Sequence, residues 1–306
     1  MSRALLITGA TGKQGGAVVN ALLSRQPSDF LLLAVTRNAQ SASAKRLAAK
    51  SPSIKLVEGD LDAAPALFAS AKTAAGAVPL WGVFSIQAMS DQKSNSETEQ
   101  GKALVDESIK TGVKHFVYSS VERGGDERSW SNPTPVPHFI TKHQIEHHLR
   151  DSTANSKSPM GWTILRPVIF MDNLAPGFVG KVFLTMIRDT MKEKPLQWIA
   201  TKDIGFFAAE AFHNPETWNK KAFGLAGDEL TFSQLNQSFE KATGTHAATT
   251  FGLLGKALKA GVSEIGVMVN WFKQDGYKAN MEEVKRVHPS VTSLEEWLKE
   301  SAFVKK

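Results

Sequence analysis

The sequence predicts an α/β protein: a doubly wound parallel sheet followed by a smaller, mostly helical C-terminal lobe. Three observations predict it. Short apolar runs alternate with longer amphipathic stretches through residues 1–125, the rhythm of βαβ units. The apolar runs are continuous, as strands covered on both faces require. The first of them leads into a glycine-rich turn that opens a helix.

In order, the strands are Ala4–Thr8 (ALLIT), Phe30–Val35 (FLLLAV), Ile54–Glu58 (IKLVE), Trp81–Ser85 (WGVFS) and His115–Ser119 (HFVYS). Trp162–Arg166 (WTILR), stopped by Pro167, is a sixth, and Ala222–Ala226 (AFGLA) a seventh. Gly15–Arg25, Ser41–Ala49, Ala63–Ala71 and Glu97–Thr111 are the helices between them. Ser51–Ser53, around Pro52, is a turn. Arg123–Pro137 breaks the rhythm with two glycines and three prolines, and reads as a loop over a site. From Asn173 onward the pattern is mostly helical and less regular. The expected division is therefore residues 1–170, carrying the sheet with a strand returning near 221–226, and residues 171–306, forming most of a second lobe interleaved with the first.

Composition bounds the chemistry. A chain of 306 residues is long for one core and short for two full-sized domains, and 42% apolar with 22% charged residues is ordinary for a globular protein. With no cysteine, disulfides, thiol nucleophiles, iron–sulfur clusters and zinc–thiolate sites are excluded. A net charge of +6 without any Lys/Arg run is a mild bias, so no nucleic-acid partner is expected. Ala4–Thr8 is broken at once by Gly9, and no apolar stretch approaches the ~20 residues of a membrane span. A cytoplasmic chain without a membrane partner is expected.

The strongest motif is Thr8–Gly16 (TGATGKQGG), spaced GxxGxxG between the first strand and the first helix. Gly9 permits the tight turn, Gly12 lets the backbone approach a pyrophosphate, and Gly15 allows close helix–strand packing. Thr11, Lys13 and Gln14 complete the loop, and the helix N-terminus offers N–H groups to an anion. This is a Rossmann-type dinucleotide site. About 20 residues further on, where an NAD site places an acid for the ribose 2′-hydroxyl, stand Thr36, Arg37 and Asn38. With no carboxylate there to repel a 2′-phosphate, and with Arg37 and Lys13 able to meet one, NADP(H) is the expected cofactor. Alternatively, Arg37 is a solvated strand-end charge. Asp60 either bonds the adenine edge, with Leu61 on the ring, or caps a helix. Ser85, Gln87, Ser119 and Ser120 end the fourth and fifth strands, the nicotinamide side of a doubly wound sheet.

The glycine loop, Thr36-Arg37-Asn38 and Gly59-Asp60-Leu61 resemble the atypical short-chain dehydrogenase/reductases. Within that group, Tyr118–Gly125 (YSSVERGG) and Pro135–Lys142 (PVPHFITK) look like the NmrA-like family, especially its fungal members. Leu165–Val168 (LRPV) with Asn173, and Asp203–Gly205 (DIG), are similar to its downstream motifs, which adds Pro167 and Val168 to the cofactor side. The resemblance covers about residues 4–235. It implies a Rossmann domain with NAD(P) bound and a small C-terminal lobe over a substrate cleft. It also implies two kinds of relative, reductases and regulators that bind the dinucleotide without known turnover.

Short-chain dehydrogenases pair Tyr and Lys at i and i+4, one helix face on which the lysine holds the ribose and lowers the tyrosine pKa. Here the corresponding pair is His138 and Lys142. Tyr118 and Tyr277 complete the tyrosines of the chain, and neither stands in that helical register. Lys142 keeps the ribose role. His138 either serves as general acid or caps the helix. Ser120 can polarise a substrate oxygen. Glu122 is either a base, or the holder of a substrate amine, or the ion-pair partner of Arg123. His143–His147 (HQIEH) matches a zinc pattern but reads as an exposed helix face, so no metal is expected. Trp130, Phe170, Met171 and Trp271 are candidate substrate contacts in an apolar, aromatic cleft.

The function expected is NADP(H)-dependent oxidation or reduction of a small to medium apolar organic substrate: a carbonyl, enone or imine. The cofactor carries the hydride chemistry, so a reductase lacking the tyrosine remains physically possible. Two rivals stand beside it. One is an NADP(H)-sensing regulator with a protein partner, and the other an acid–base enzyme, such as a cyclase, that retains the cofactor site.

Overall fold

The computed structural model describes residues 2–25, 29–88, 96–156, 160–251 and 263–304. Its strands are β1 (Arg3–Ile7), β2 (Phe30–Thr36), β3 (Ile54–Glu58), β4 (Leu80–Ser85), β5 (His115–Ser119), β6 (Gly161–Pro167), β7 (Ile169–Phe170), β8 (Leu196–Ile199), β9 (Lys221–Leu225) and β10 (Asp228–Leu230). Its helices are α1 (Lys13–Ser24), α2 (Ala42–Ala48), α3 (Ala64–Ala75), α4 (Ser96–Thr111), α5 (Asp126–Ser131), α6 (Pro137–Asn155), α7 (Phe178–Met191), α8 (Thr201–His213), α9 (Pro215–Trp218), α10 (Phe232–Thr243), α11 (Ser263–Gln274), α12 (Met281–Val287) and α13 (Leu294–Glu300). The chain forms two compact units. The first comprises Met1–Ser120, Thr141–Leu165 and Ile204–Phe223; the second comprises Val121–Ile140, Arg166–Asp203 and Gly224–Lys306.

Among the described residues the main sheet has seven strands in the order β3-β2-β1-β4-β5-β6-β9. From β3 across to β6 each neighbouring pair is parallel. Every residue of β2 and β5 is buried, which is why both are apolar through their middle, with polar residues only at their ends. The strand order reverses between β1 and β4, so the carboxyl ends of those two strands form the switch point where such sheets bind ligands. Thr8 pins that point: its hydroxyl accepts the Ile86 N–H at 2.8 Å and lies 2.9 Å from the Ile86 carbonyl oxygen. Gly205 on α8 abuts α1 so closely that a Cβ there would stand 2.5 Å from the Ala17 carbonyl.

The second unit holds a sheet that the sequence pattern did not reveal. Its order is β10-β8-β7, with β8 antiparallel to β10 and parallel to β7. Strands of two to four residues are too short for a period of two to declare itself. Around it pack α7, α10, α11 and α13, with Trp198, Trp271, Phe272, Leu184, Leu235 and Leu298 in a continuous apolar core. Reciprocal capping boxes start two of these helices, Thr231 with Gln234 on α10 and Ser293 with Glu296 on α13.

The expected loop Arg123–Pro137 is instead a packed segment containing α5. Arg123 is fully buried and donates to the carbonyls of Val121, Ser129 and Asn132. Gly124 and Gly125 take φ of 100° and 104°, conformations that side chains resist, and this explains the glycine pair.

His115 opens β5 in the buried interior of the first unit, 2% exposed and stacked on Trp81. The Thr163 hydroxyl donates to the Trp218 carbonyl, so it accepts from His115 Nε2 at 2.9 Å, as a neutral imidazole allows. Burial lowers the His115 pKa from 6.5 to about 4. A depressed histidine pKa gives stability that is whole above the unfolded value and lost as pH falls toward the folded one. Between pH 7 and pH 5 this group is expected to withdraw about 2 kcal/mol. Urea unfolding of the wild type and of His115→Gln at the two pH values checks it: the acid-dependent loss should shrink in the variant.

Candidate cofactor and catalytic site

The glycine loop folds as its spacing requires. Gly9 has φ +60°, and a Cβ there would stand 2.9 Å from Ile86 Cγ2. A Cβ on Gly15 would stand 2.3 Å from the Gly9 carbonyl oxygen, so α1 can meet the turn after β1 at this distance only with glycine. Gly12 is the extended N-cap residue of α1. No side chain caps the helix, and its first turn carries no acid. Thr11 and Lys13 are exposed beside it. Gln14 reaches back from α1 to accept the Ser119 hydroxyl at 2.6 Å, tying the helix start to the end of β5.

Beyond β2, Thr36, Asn38 and Gln40 knit a tight turn: Thr36 Oγ1 accepts from Asn38 N–H at 3.2 Å and Asn38 Oδ1 from Gln40 N–H at 2.8 Å. The exposed Arg37 projects from this turn, and its guanidinium has no hydrogen-bond, ion-pair or ring partner among the described residues. One expectation needs correction here. A carboxylate does stand nearby: Glu58 pairs in register with Thr36 and accepts the Ala39 N–H at 2.9 Å. The parallel register brings it across from the next strand, out of reach of a linear reading. Asp60 caps the short turn Leu61–Ala63 through the Asp62 N–H at 3.1 Å, the second of its two expected roles. At the end of β4, Gln87 donates to Ser85 Oγ at 2.9 Å while its own Oε1 is buried without a partner among the described residues.

Three glutamates hold candidate reacting groups; the sequence singled out one of them, Glu146, and only as part of the HQIEH pattern. Glu97 on α4, 2% exposed, accepts from Lys142 Nζ at 3.0 Å. Glu146 on α6 is fully buried and accepts the Ser120 hydroxyl. In the second unit, Glu264 on α11 accepts from His138 Nδ1 at 2.6 Å. Glu146 is the acid of the HQIEH pattern, so that carboxylate is committed to Ser120 while the His143 and His147 rings lie 4.3 Å apart. Among the described residues no three metal-binding side chains gather.

Glu122 in the second unit is fully buried and accepts the backbone N–H groups of Gly124, Gly125 and Lys278. Burial pushes its carboxyl above the ordinary value; those three bonds oppose the shift and the Asp126 charge adds to it. Next to Lys278, Tyr277 packs against Phe139, Trp271 and Phe272. Burial and the Glu122 charge hold its phenol well above 10, in the proton-bearing form. Tertiary folding thus returns a tyrosine to the residue beside His138, which helix spacing had no means to show.

The expected substrate contacts fare differently. Met171 and Trp271 are 0% and 1% exposed inside the core of the second unit, where packing occupies them. Trp130 lies on α5 rather than in a loop, with the Arg166 guanidinium 4.5 Å from its ring. Phe170 in β7 is partly exposed. Pro167 and Val168 spend their backbone groups on Glu122 and Leu225, and Val168 is buried.

These features fit a dinucleotide: a glycine cradle that Cβ atoms would fill and, among the described residues, a buried acceptor at Gln87 and a guanidinium at Arg37 that have no partner. The family model of the NmrA-like family matches residues 1–298. The chain belongs to the NmrA-like family. An NmrA-like family domain-containing oxidoreductase of Aspergillus hancockii is 28% identical over 264 residues, covering 80% of this chain and 74% of that protein. Among solved structures, the Citrobacter sp. triphenylmethane reductase complexed with NADP(H) superposes with a TM-score of 0.69 at 19% identity, over 98% of this chain and 99% of that one. NmrA, a negative transcriptional regulator, in complex with NADP gives 0.67 at 18% identity, over 98% and 94%. Like them, this NmrA-like chain has the Rossmann-like α/β fold with a smaller mixed C-terminal region.

Glu122→Ala strips the acceptor from three backbone donors, a loss of about 1–3 kcal/mol or more. A lowered urea midpoint is expected. A variant as stable as the wild type would remove the anchoring role and return Glu122 to the list of candidate bases.

Proposed function

We propose that this NmrA-like protein is an NADP(H)-dependent oxidoreductase that acts on a small to medium, largely apolar organic molecule bearing a carbonyl, enone or imine. The observation that carries it is Arg37. Its guanidinium has no partner among the described residues beyond β2, and Glu58, the carboxylate near it, is turned to the Ala39 N–H. A 2′-phosphate offers Arg37 the charge-assisted pair it lacks, and Lys13 adds positive charge from the loop. The oxidoreductase names of the fungal relatives and the NADP(H) held by the Citrobacter reductase support this reading.

When bound, the nicotinamide supplies or accepts a hydride. The chain's own residues do the rest. The amides at the start of α1 take the pyrophosphate, with Gly9, Gly12 and Gly15 giving it room. Thr11, Gln14 and Asn38 line the nucleotide, with Leu61 against the adenine. Gln87, Ser85, Ser119, Pro167 and Val168 border the nicotinamide, and Lys142 binds its ribose hydroxyls by exchanging them for part of its bond to Glu97. Ser120 polarises the substrate oxygen by turning its one hydroxyl proton from Glu146 to the substrate, and His138 handles the proton. Phe170 is the substrate contact that remains after Met171, Trp271 and Trp130 are assigned to packing.

A regulator that reads NADP(H) and presents a surface to a protein partner is the second reading. It is favoured by the histidine at position 138 and by the fold shared with NmrA.

Two measurements test the proposal. Arg37→Ala should weaken NADPH binding by about tenfold or more while leaving NADH within about twofold, as read by calorimetry. An unchanged NADPH/NADH ratio would sink the phosphate assignment. Wild-type protein should consume NADPH with at least one member of a panel of quinones, enones and cyclic imines. Tight NADPH binding without turnover on the whole panel would favour the regulator.

A further inference from the structure

The contact between His138 and Glu264 carries more than a helix cap. His138 is the second residue of α6, where a backbone N–H lacks an intrahelical acceptor. The residue before the helix, Val136, has no side-chain acceptor to offer. Glu264, 126 positions away on α11, supplies one: its Oε1 accepts the His138 backbone N–H at 3.1 Å. The same oxygen lies 2.6 Å from His138 Nδ1. If capping were the whole role, the backbone contact should be the shorter. The ring contact is shorter by half an ångström, shorter than an ordinary N–H···O bond, the direction in which a charged acceptor draws it. The pair is also largely removed from water, with side chains 15% and 19% exposed, and the imidazole is steadied edge-on against Phe139 at 4.6 Å.

A carboxylate can only accept, so the nitrogen facing it must carry the proton. With Glu264 ionised, this contact requires the proton on Nδ1, and proton exchange by the ring then runs through Nε2. A base or acid oriented by a third group is the arrangement that nucleophile and proton-transfer sites share.

We propose that Glu264 is a positioning residue that locks His138 as the Nδ1–H imidazole and supports its charged form. Nε2 of His138 then exchanges the proton that a tyrosine hydroxyl delivers in other short-chain dehydrogenases. The proposal rests on the oxidoreductase reading for the reaction it serves. In reduction of a carbonyl, a hydride from the reduced nicotinamide forms the new C–H bond and the C=O π pair moves to oxygen. The Nε2–H bond of the imidazolium breaks, its electron pair stays on nitrogen, and the proton forms the O–H bond. Neutral imidazole with the proton on Nδ1 remains, and Glu264 stays ionised throughout. Oxidation of an alcohol runs the same transfer backwards, with Nε2 accepting the proton.

The test uses the full chain labelled with 15N-histidine, with the His138 signals assigned by their loss in His138→Gln. Above neutral pH the wild type should show Nδ1 protonated and Nε2 bare, with or without NADPH. Glu264→Ala should move the proton to Nε2, the tautomer that an unconstrained histidine favours. Glu264→Gln keeps an acceptor but removes the charge. It should lower kcat for any active panel compound by about tenfold to hundredfold, with KM and NADPH affinity within about twofold. If Glu264→Ala does not fold, Glu264→Gln carries the test alone. A wild-type ring protonated on Nε2 overturns the proposal, and so does unchanged turnover in Glu264→Gln. Absence of turnover in the wild type with the Nδ1–H tautomer present defeats the oxidoreductase reading instead, while leaving the pair itself in place.

Discussion

A carboxylate leaves water only where donors meet it, and in this protein that constraint orders the groups that matter. Glu97, Glu122 and Glu146 are all but fully buried, and Glu264 is mostly so. Each is met by a different donor: the Lys142 ammonium, three backbone amides, the Ser120 hydroxyl and the His138 imidazole. An unpaired charge in such places costs several kcal/mol, so each glutamate holds its partner in one geometry. Rigidity of this kind is what proton transfer and ribose binding need, because a misplacement of about an ångström is costly in rate.

The nucleotide side obeys a different constraint, the exclusion of side chains. At Gly15 the chain approaches itself too closely for any Cβ, and the same closeness bares the start of α1. The apparatus there is backbone, and it depends on the sheet only through the reversal of strand order between β1 and β4. Reductases and a transcriptional regulator can share this fold because the fold specifies the nucleotide cradle and not the chemistry beyond it.

Much of this was legible in the linear chain, and for local reasons. Two strands, Ile54–Glu58 and His115–Ser119, have the bounds that the sequence predicts, because each is a short stretch rich in β-branched and aromatic residues set between helical patterns. The glycine loop was legible because each glycine answers a steric demand within a few residues of itself. Other features depended on distant partners. Arg123–Pro137 looked like a loop because its glycines and prolines hide a six-residue helix and a fully buried arginine. Met171 and Trp271 looked like ligand contacts because an aromatic or sulfur side chain reads alike in a cleft and in a core.

The sequence by itself determined the parallel sheet, the nucleotide turn and the absence of a helical Tyr–Lys pair, since each is written in residues adjacent or one helical turn apart. Tertiary structure alone decided that Glu58 stands across from Thr36, that Glu264 faces His138 and that Tyr277 packs beside it. Those contacts, Thr36 with Glu58, His138 with Glu264 and Phe139 with Tyr277, join residues 22, 126 and 138 positions apart. No local propensity encodes them. They arise when burial of the apolar faces brings distant segments together and every charge taken inside has to find its donor.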